Sequence, residues 1–293
     1  MTTIRLATRS SAQAKKQSEF LAQQLIAADA DLVIELVFVE TLGDKKADTP
    51  LHEIGGQGVF VKEVQRAVLD GHADIAVHSA KDLPSEQQAG LVIAAFTERR
   101  TANDALVGST LDGLVSGATV ATGSVRRRAQ LARLRPDLQF VDLRGNINTR
   151  LDKIPQNGAI VMAVAALEVL DLQDQITQVL SLDDAVPMVG QGCVAVEVRA
   201  LDDATRRLLQ IIDHAPTRRA VETERAFLSE LGAGCTAPIA AHVSPDHMLR
   251  AFMANDITSV QLTGSILDIH DHLEVGREIA RECQKQLRRG RRS

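Results

Sequence analysis

ADIAVHSAKDLP, residues 73–84, begins as an apolar run and ends in His78, Ser79, Lys81 and Asp82. Ile75-Ala76-Val77 reads as a buried strand, and open α/β sheets take their ligands beyond the carboxyl ends of their strands, which is where Lys81 and Asp82 fall. A nearby cation stabilises an ionised carboxylate, so Asp82 is expected to stay charged and to be able to hold a cationic intermediate or pass a proton. A surface ion pair at a strand end is the plainer meaning of the same two residues. The rest of the chain has to decide between them.

Outward from this stretch, apolar strand-like runs at Ile4 to Ala7, Leu32 to Val39, Leu91 to Ala95 and Thr119 to Ala121 alternate with helical patterns at Ala12 to Ala27 and Val61 to Leu69. That alternation predicts an α/β fold with largely parallel sheets. An internal echo points to two related units: Leu6-Ala7-Thr8-Arg9-Ser10-Ser11 and Val120-Ala121-Thr122-Gly123-Ser124 each lead from a strand through a hydroxyl-rich turn into a helix. Such a turn offers unpaired N–H groups and the positive end of a helix dipole to a carboxylate or phosphate, although Ser11 and Ser124 serve equally well as plain helix caps. Arg9, Arg126, Arg127, Arg144 and Arg150 all lie in or beside strand-to-helix turns, where guanidinium forks bind carboxylates.

Thr97 to Asn103 and Pro187 to Gly192 read as crossings between the two units. Beyond Pro216 the pattern changes to a helix near Ala220 to Leu231, strands near Leu249 to Ala254 and Val260 to Ile266, and a final helix near Leu273 to Leu287, a smaller α+β domain. The expected division is residues 1–97 with 193–212, residues 102–187, and residues 215–293. Gly55-Gly56-Gln57-Gly58 is a flexible loop, either a lid or a turn. His270-Asp271-His272 is read as a solvated turn rather than a metal site, and the Arg-rich end, Arg288 to Arg292, as a solvated tail.

Composition narrows the function. Aromatic residues make up 2% of the 293, with no Trp and no Tyr, so stacking platforms for single-stranded nucleic acid are nearly absent. The net charge of -5 also argues against a general polyanion binder. No run of about 18 apolar residues and no apolar leader occur, which predicts a cytoplasmic protein. Cys193, Cys235 and Cys283 are odd in number and far apart, so neither a disulfide framework nor a zinc site is indicated. Cys235 differs from the others: Gly232 to Pro238 is a loop of small residues able to expose the sulfur.

Taken together, ADIAVHSAKDLP, IGGQGVFVKE, ATGSVRRRAQL, DLRGNINTRL, VGQGCVAVEVR and ERAFLSELGAGC resemble the hydroxymethylbilane synthase (porphobilinogen deaminase) family, from Ile4 to about Val243 in unbroken order. The resemblance implies two periplasmic-binding-protein-like lobes plus a smaller C-terminal α+β domain. It implies a dipyrromethane cofactor joined by a thioether to Cys235, onto which four porphobilinogens are added head to tail with loss of ammonia. Hydrolysis then releases hydroxymethylbilane, a tetrapyrrole precursor. It also implies Asp82 as the catalytic carboxylate, and as cofactor- and substrate-binding residues Arg9, Ser11, Lys81, Thr122, Ser124, Arg126, Arg127, Arg144 and Arg150. Phe60 matches an aromatic residue near the cofactor rings, and Asp44 the acidic residue of a TRGD-like segment, here Thr41 to Asp44. The expected ligands are porphobilinogen and polypyrrole intermediates, the expected state a monomer, with no nucleic-acid, membrane or metal partner. The chain departs from the family's pattern at Gln57, Asn103 and Val169, where cations are usual. The rival is a two-lobed anion-binding module without chemistry, which has no need of Cys235; a degenerate paralogue is the third possibility.

Overall fold

A computed structural model describes residues 2–45, 58–232 and 238–290. The alternation of Ile4 and Leu6 with polar neighbours lays down strand β1 (Thr2–Arg9), and Ser11 starts helix α1 (Ala12–Ala28), which buries Leu21 and Leu25, one turn apart, on the sheet. Then follow β2 (Leu32–Val39), α2 (Leu42–Lys45), α3 (Lys62–Leu69), β3 (Ile75–Ser79), a 3-10 turn over Ala80–Asp82, and β4 (Leu91–Phe96). The second unit contains β5 (Asp104–Val107), β6 (Thr119–Ala121), α4 (Val125–Leu134), β7 (Gln139–Val141), α5 (Ile147–Leu151), β8 (Ala159–Ala163), α6 (Val164–Val169) and β9 (Gln178–Val179). The chain returns through β10 (Val194–Arg199) and α7 (Asp203–Leu209). It ends in α8 (Ala215–Glu230), β11 (Ile239–Val243), β12 (Met248–Ala254), β13 (Ser259–Ser265) and α9 (His272–Arg289).

The strands form two five-stranded sheets of matching plan, β2-β1-β3-β10-β4 and β7-β6-β8-β5-β9, and a three-stranded sheet β11-β12-β13. The expectation of largely parallel sheets needs correcting. β1 runs parallel to β2 and β3, and β6 to β7 and β8, but β10 is antiparallel to β3 and β4, and β5 to β8 and β9. The reason is the connection: β5 and β10 enter their sheets from the other unit, not through a helical crossover of their own, so nothing forces the parallel sense. The fold is thus mixed α/β in two lobes, with a smaller α+β unit at the C-terminal end.

Period-two burial decides what each face of the first sheet can hold. Ile75 and Val77 join the core under α1, whereas Ala76 packs with Val64 and Val68 of α3. The third unit has its own core of Phe227, Leu228, Ala251, Ala280 and Cys283. Helix α8 begins earlier than its pattern suggested, because Pro216 sits in its first turn, where a missing N–H costs nothing. Strand β11 had no strand signal in the sequence reading at all.

Candidate active site

The run Ile75-Ala76-Val77 carries the chain to the cleft edge, and the following turn is closed by a bond of its own and held from two sides. Ala80 N donates to Cys193 O at 2.9 Å, Leu83 N to Ala80 O at 3.3 Å, and Arg225 Nη2, from α8, to Pro84 O at 2.8 Å. Gly190, at φ +70°, lies so close that a Cβ there would stand 3.0 Å from Ala80. Lys81 and Asp82 therefore project from a fixed turn into a cleft that Thr8, Arg9, Ser11 and Phe60 also line. A smaller adjoining space shares Gln13, Gln17, Ser79 and Lys81 and reaches Ala163 and Ala165 of the second lobe. The cleft thus runs between the lobes, which also meet where Lys16 Nζ lies 2.5 Å from Asp171.

On the first lobe the Arg9 guanidinium lies 4.2 Å over the Phe60 ring centroid and 2.5 Å from Asp44. Asp44 also accepts from Thr41 Oγ1 at 2.7 Å. Burial works to raise the Asp44 pKa, but Arg9 and Thr41 reverse it and hold the carboxyl below its ordinary range. Gly43 makes the arrangement fit, since a Cβ there would meet the Phe60 ring at 2.1 Å. Ser11 accepts from Ala14 N at 3.3 Å, so it caps α1 while bordering the cleft.

On the second lobe Thr122 Oγ1 accepts from Ser124 N at 3.2 Å, and Ser124 Oγ accepts from Arg127 N at 3.4 Å, capping α4. The side chains of Arg126 and Arg127 are 4% and 10% exposed and are held by Asp104, which carries no signal of its own in the sequence. Arg127 Nη2 and Nε donate to Asp104 Oδ1 at 2.7 and 3.1 Å, and Nη1 to Val161 O at 3.0 Å. Arg126 Nη1 donates to Val186 O at 2.7 Å and lies 2.7 Å from Asp104 Oδ2. Arg150, in the last turn of α5, donates from Nε to Gly145 O at 2.9 Å.

These groups share one field. Burial above all holds the Lys81 ammonium below its ordinary pKa; Asp82 and Asp104 pull it up, and Arg127 and Arg150 push it down. Burial likewise lowers Arg150 to about 10, aided by Arg127, Arg144 and Arg9 and opposed by Asp82. Burial also lowers Arg144, with Asp142 opposing. Cations of both lobes thus act at this turn: the charges of Arg127 and Arg150 reach Lys81, and that of Asp82 reaches Arg150.

Cys235 and Gln57 lie outside the described residues, as do Gly55 and Gly56 of the glycine loop. Cys193 and Cys283 are buried, and burial pushes both thiols up to about 12, far from a ready thiolate. Asn103 donates from Nδ2 to Leu180 O at 2.9 Å. Val169, at the end of α6, is buried at 7% exposure. Asp271 caps α9, and His272 Nδ1 lies 3.2 Å from Arg219. Among the described residues no three His, Cys, Asp or Glu side chains are grouped to hold a metal.

The family model for porphobilinogen deaminase, dipyromethane cofactor binding domain, matches residues 4–207, and that for porphobilinogen deaminase, C-terminal domain, matches residues 218–285. The chain is 43% identical over 242 residues to the porphobilinogen deaminase of Chloroherpeton thalassium, covering 81% of this chain and 77% of that one. It is 38% identical over 288 residues to that of Trichlorobacter lovleyi, covering 94% and 91%. Among solved structures, the methionine binding protein MetQ overlaps 74% of this chain and 92% of its own at 14% identity and a TM-score of 0.46. That overlap is loose, and the fold stands on the strand orders. Matched by both family models and by relatives along most of its length, the chain belongs to the porphobilinogen deaminase family.

Proposed function

We propose that the protein is a transferase of tetrapyrrole biosynthesis that joins four porphobilinogens head to tail on a covalently held dipyrromethane, releases ammonia at each addition, and frees hydroxymethylbilane by hydrolysis. The observation that carries this reading is the placement of Arg9, Lys81 and Asp82 on one cleft, with the charges of Arg127 and Arg150 of the second lobe reaching Lys81.

The residues present fit a dipyrromethane. Each of its rings carries an acetate and a propionate, and Arg9, Ser11, Lys81, Arg144 and Arg150 supply cations and a hydroxyl for them. The buried Thr8 Oγ1 beside the cleft has no hydrogen-bond partner among the described residues. When bound, the dipyrromethane supplies the pyrrole carbon to which the first porphobilinogen is joined. Asp82 does the work on the substrate: its carboxylate faces the positive charge that porphobilinogen gains as ammonia leaves, in a site whose cations already hold the side-chain carboxylates. Phe60 and Asp44 fix the Arg9 guanidinium. Thr122 and Ser124 shape the turn above Arg126 and Arg127, which are buried and paired with Asp104.

The chain divides into residues 1–97 with 193–212, 102–187 and 215–293, a division that sheet membership supports. It works as a monomer in the cytoplasm on porphobilinogen and the growing polypyrrole, without a nucleic-acid partner; the scarcity of aromatic residues and the net charge of -5 favour the last point.

Cys235 is the proposed attachment point. Its soft sulfur attacks the carbon from which ammonia has left, and the thioether formed resists thiol reductants. Intact-mass and peptide mass spectrometry should find an adduct of two linked pyrroles on the Cys235 peptide, absent from Cys235→Ala. An unmodified Cys235 in protein supplied with porphobilinogen, with no consumption of that substrate, would return the chain to the class of anion-binding modules.

A further inference from the structure

Asp104 is fully buried, opens β5, and follows the first crossing directly. Its Oδ1 accepts from Arg127 and, at 2.8 Å, from Gln191 Nε2; its Oδ2 faces Arg126. Gln191 belongs to the return crossing and is 1% exposed. Its Nε2 donates also to Ala102 O at 2.6 Å, so both amide hydrogens bind the first crossing or the residue at its end. Gly190 and Gly192 on either side have φ of +70° and +83°, and a Cβ at Gly192 would stand 2.7 Å from Arg100 O. The two crossings are thus in backbone contact, sealed by Arg100 N donating to Gly192 O at 2.9 Å.

We propose that Asp104 is a positioning residue which, through Gln191, ties the Arg126–Arg127 pair to both crossings, so that the lobe angle and the cationic wall facing Lys81 and Asp82 are set together. Stability does not explain such a buried network, since apolar replacements of buried ion networks are often neutral or stabilising. Its placement does. One carboxylate leaves two guanidiniums with a net single positive charge, and the fields of Arg127 and Asp104 both reach Lys81. A movement of the crossings displaces Gln191 and Ala102, and Asp104 transmits it to the arginines. A polycarboxylate pulling on the wall acts on the lobe angle by the same path.

The inference rests on the proposed function, and its test separates the two. Gln191→Met removes both donations at similar volume and leaves the charges paired. Its KM for porphobilinogen is expected to rise about tenfold, the loss of one hydrogen bond to a charged group, with kcat changed less than about twofold. Amide hydrogen exchange over residues 122–128 should accelerate by about the same factor. Asp104→Glu should recover much of the KM that Asp104→Asn loses. A lowered melting temperature with KM and exchange unchanged in Gln191→Met would reduce the network to plain structure and overturn the proposal. If the wild-type protein does not consume porphobilinogen, the functional reading falls, and exchange alone decides the tie: acceleration upholds it, and no acceleration overturns it.

Discussion

Asp82 is a carboxylate beside Lys81 and within the field of Arg150, on a turn that the return crossing and α8 hold, and this defines what its replacement should do. Asp82→Asn keeps the volume and loses the charge, so turnover of porphobilinogen should fall by about two to three powers of ten, the usual weight of one preorganised electrostatic group. The melting temperature should stay near that of the wild type, because the turn is pinned through Ala80, Leu83 and Pro84 and not through the carboxylate. Steady-state rates and a thermal melt on the same preparation check both halves, and near-normal turnover would remove Asp82 from its role. The candidate was legible because a strand run ending in Lys-Asp is a local pattern. The partner of Arg126 and Arg127 was not: Asp104 lies 22 and 23 residues before them, on a strand that enters from the other lobe.

At the scale of the element, α5 has little support of its own. Five residues are too few for a helix to persist by propensity, and what starts it is Asn146, whose side chain accepts from Thr149 N at 2.9 Å and Thr149 Oγ1 at 3.0 Å. Gly145, at φ +114°, lets the chain turn into the cap, and its carbonyl receives Arg150 Nε. Asn146→Ala should cost about 1 kcal/mol of local order. Because Arg150 rides on that one turn, the expected signature is a rise in KM for porphobilinogen of about fivefold with kcat held, measured by rates at varied substrate concentration. Equal falls in kcat and kcat/KM would show instead that α5 acts only in the transition state. DLRGNINTRL marks this segment in the sequence only as a family motif, and the cap by Asn146 shows in the fold alone.

At the scale of the molecule, Glu224 joins the three units. From α8 it accepts from Arg99 at 2.6 and 2.9 Å in the first crossing, from Gly190 N at 2.8 Å in the return crossing, and from Val243 N at 2.8 Å in β11; His242 Nδ1 lies 3.4 Å away. Burial works to raise its pKa, yet Arg99 and His242 bring it down to about 2. A carboxyl depressed in the fold adds stability that is fully present above its ordinary value of 4.5 and is lost as pH falls from there toward about 2. Glu224→Gln should therefore lose about 3–5 kcal/mol at neutral pH, as expected when one partner of a buried ion pair is removed. The variant's stability should also fall less steeply than the wild type's over that acid window. Urea unfolding at a series of pH values checks both, and parallel acid limbs would show that Glu224 is not the group titrating.

By itself the sequence determined what is local or additive: the strand that ends in Lys81-Asp82, the hydroxyl turns that cap α1 and α4, the two crossings, and the motif string that marks the family. Backbone propensities, caps and apolar periodicity act over a few residues, so a few residues suffice to read them. Only the tertiary structure decided which charges neutralise one another. Arg126 and Arg127 are short of a partner in the sequence and are paired with Asp104 in the fold, Val169 is buried, and the fourth strand of each sheet runs against its neighbours because it arrives from the other lobe. Burial strengthens every surviving charge contact and forbids the unpaired ones. The roles of the ionic residues therefore depend on three-dimensional proximity that no spacing along the chain encodes.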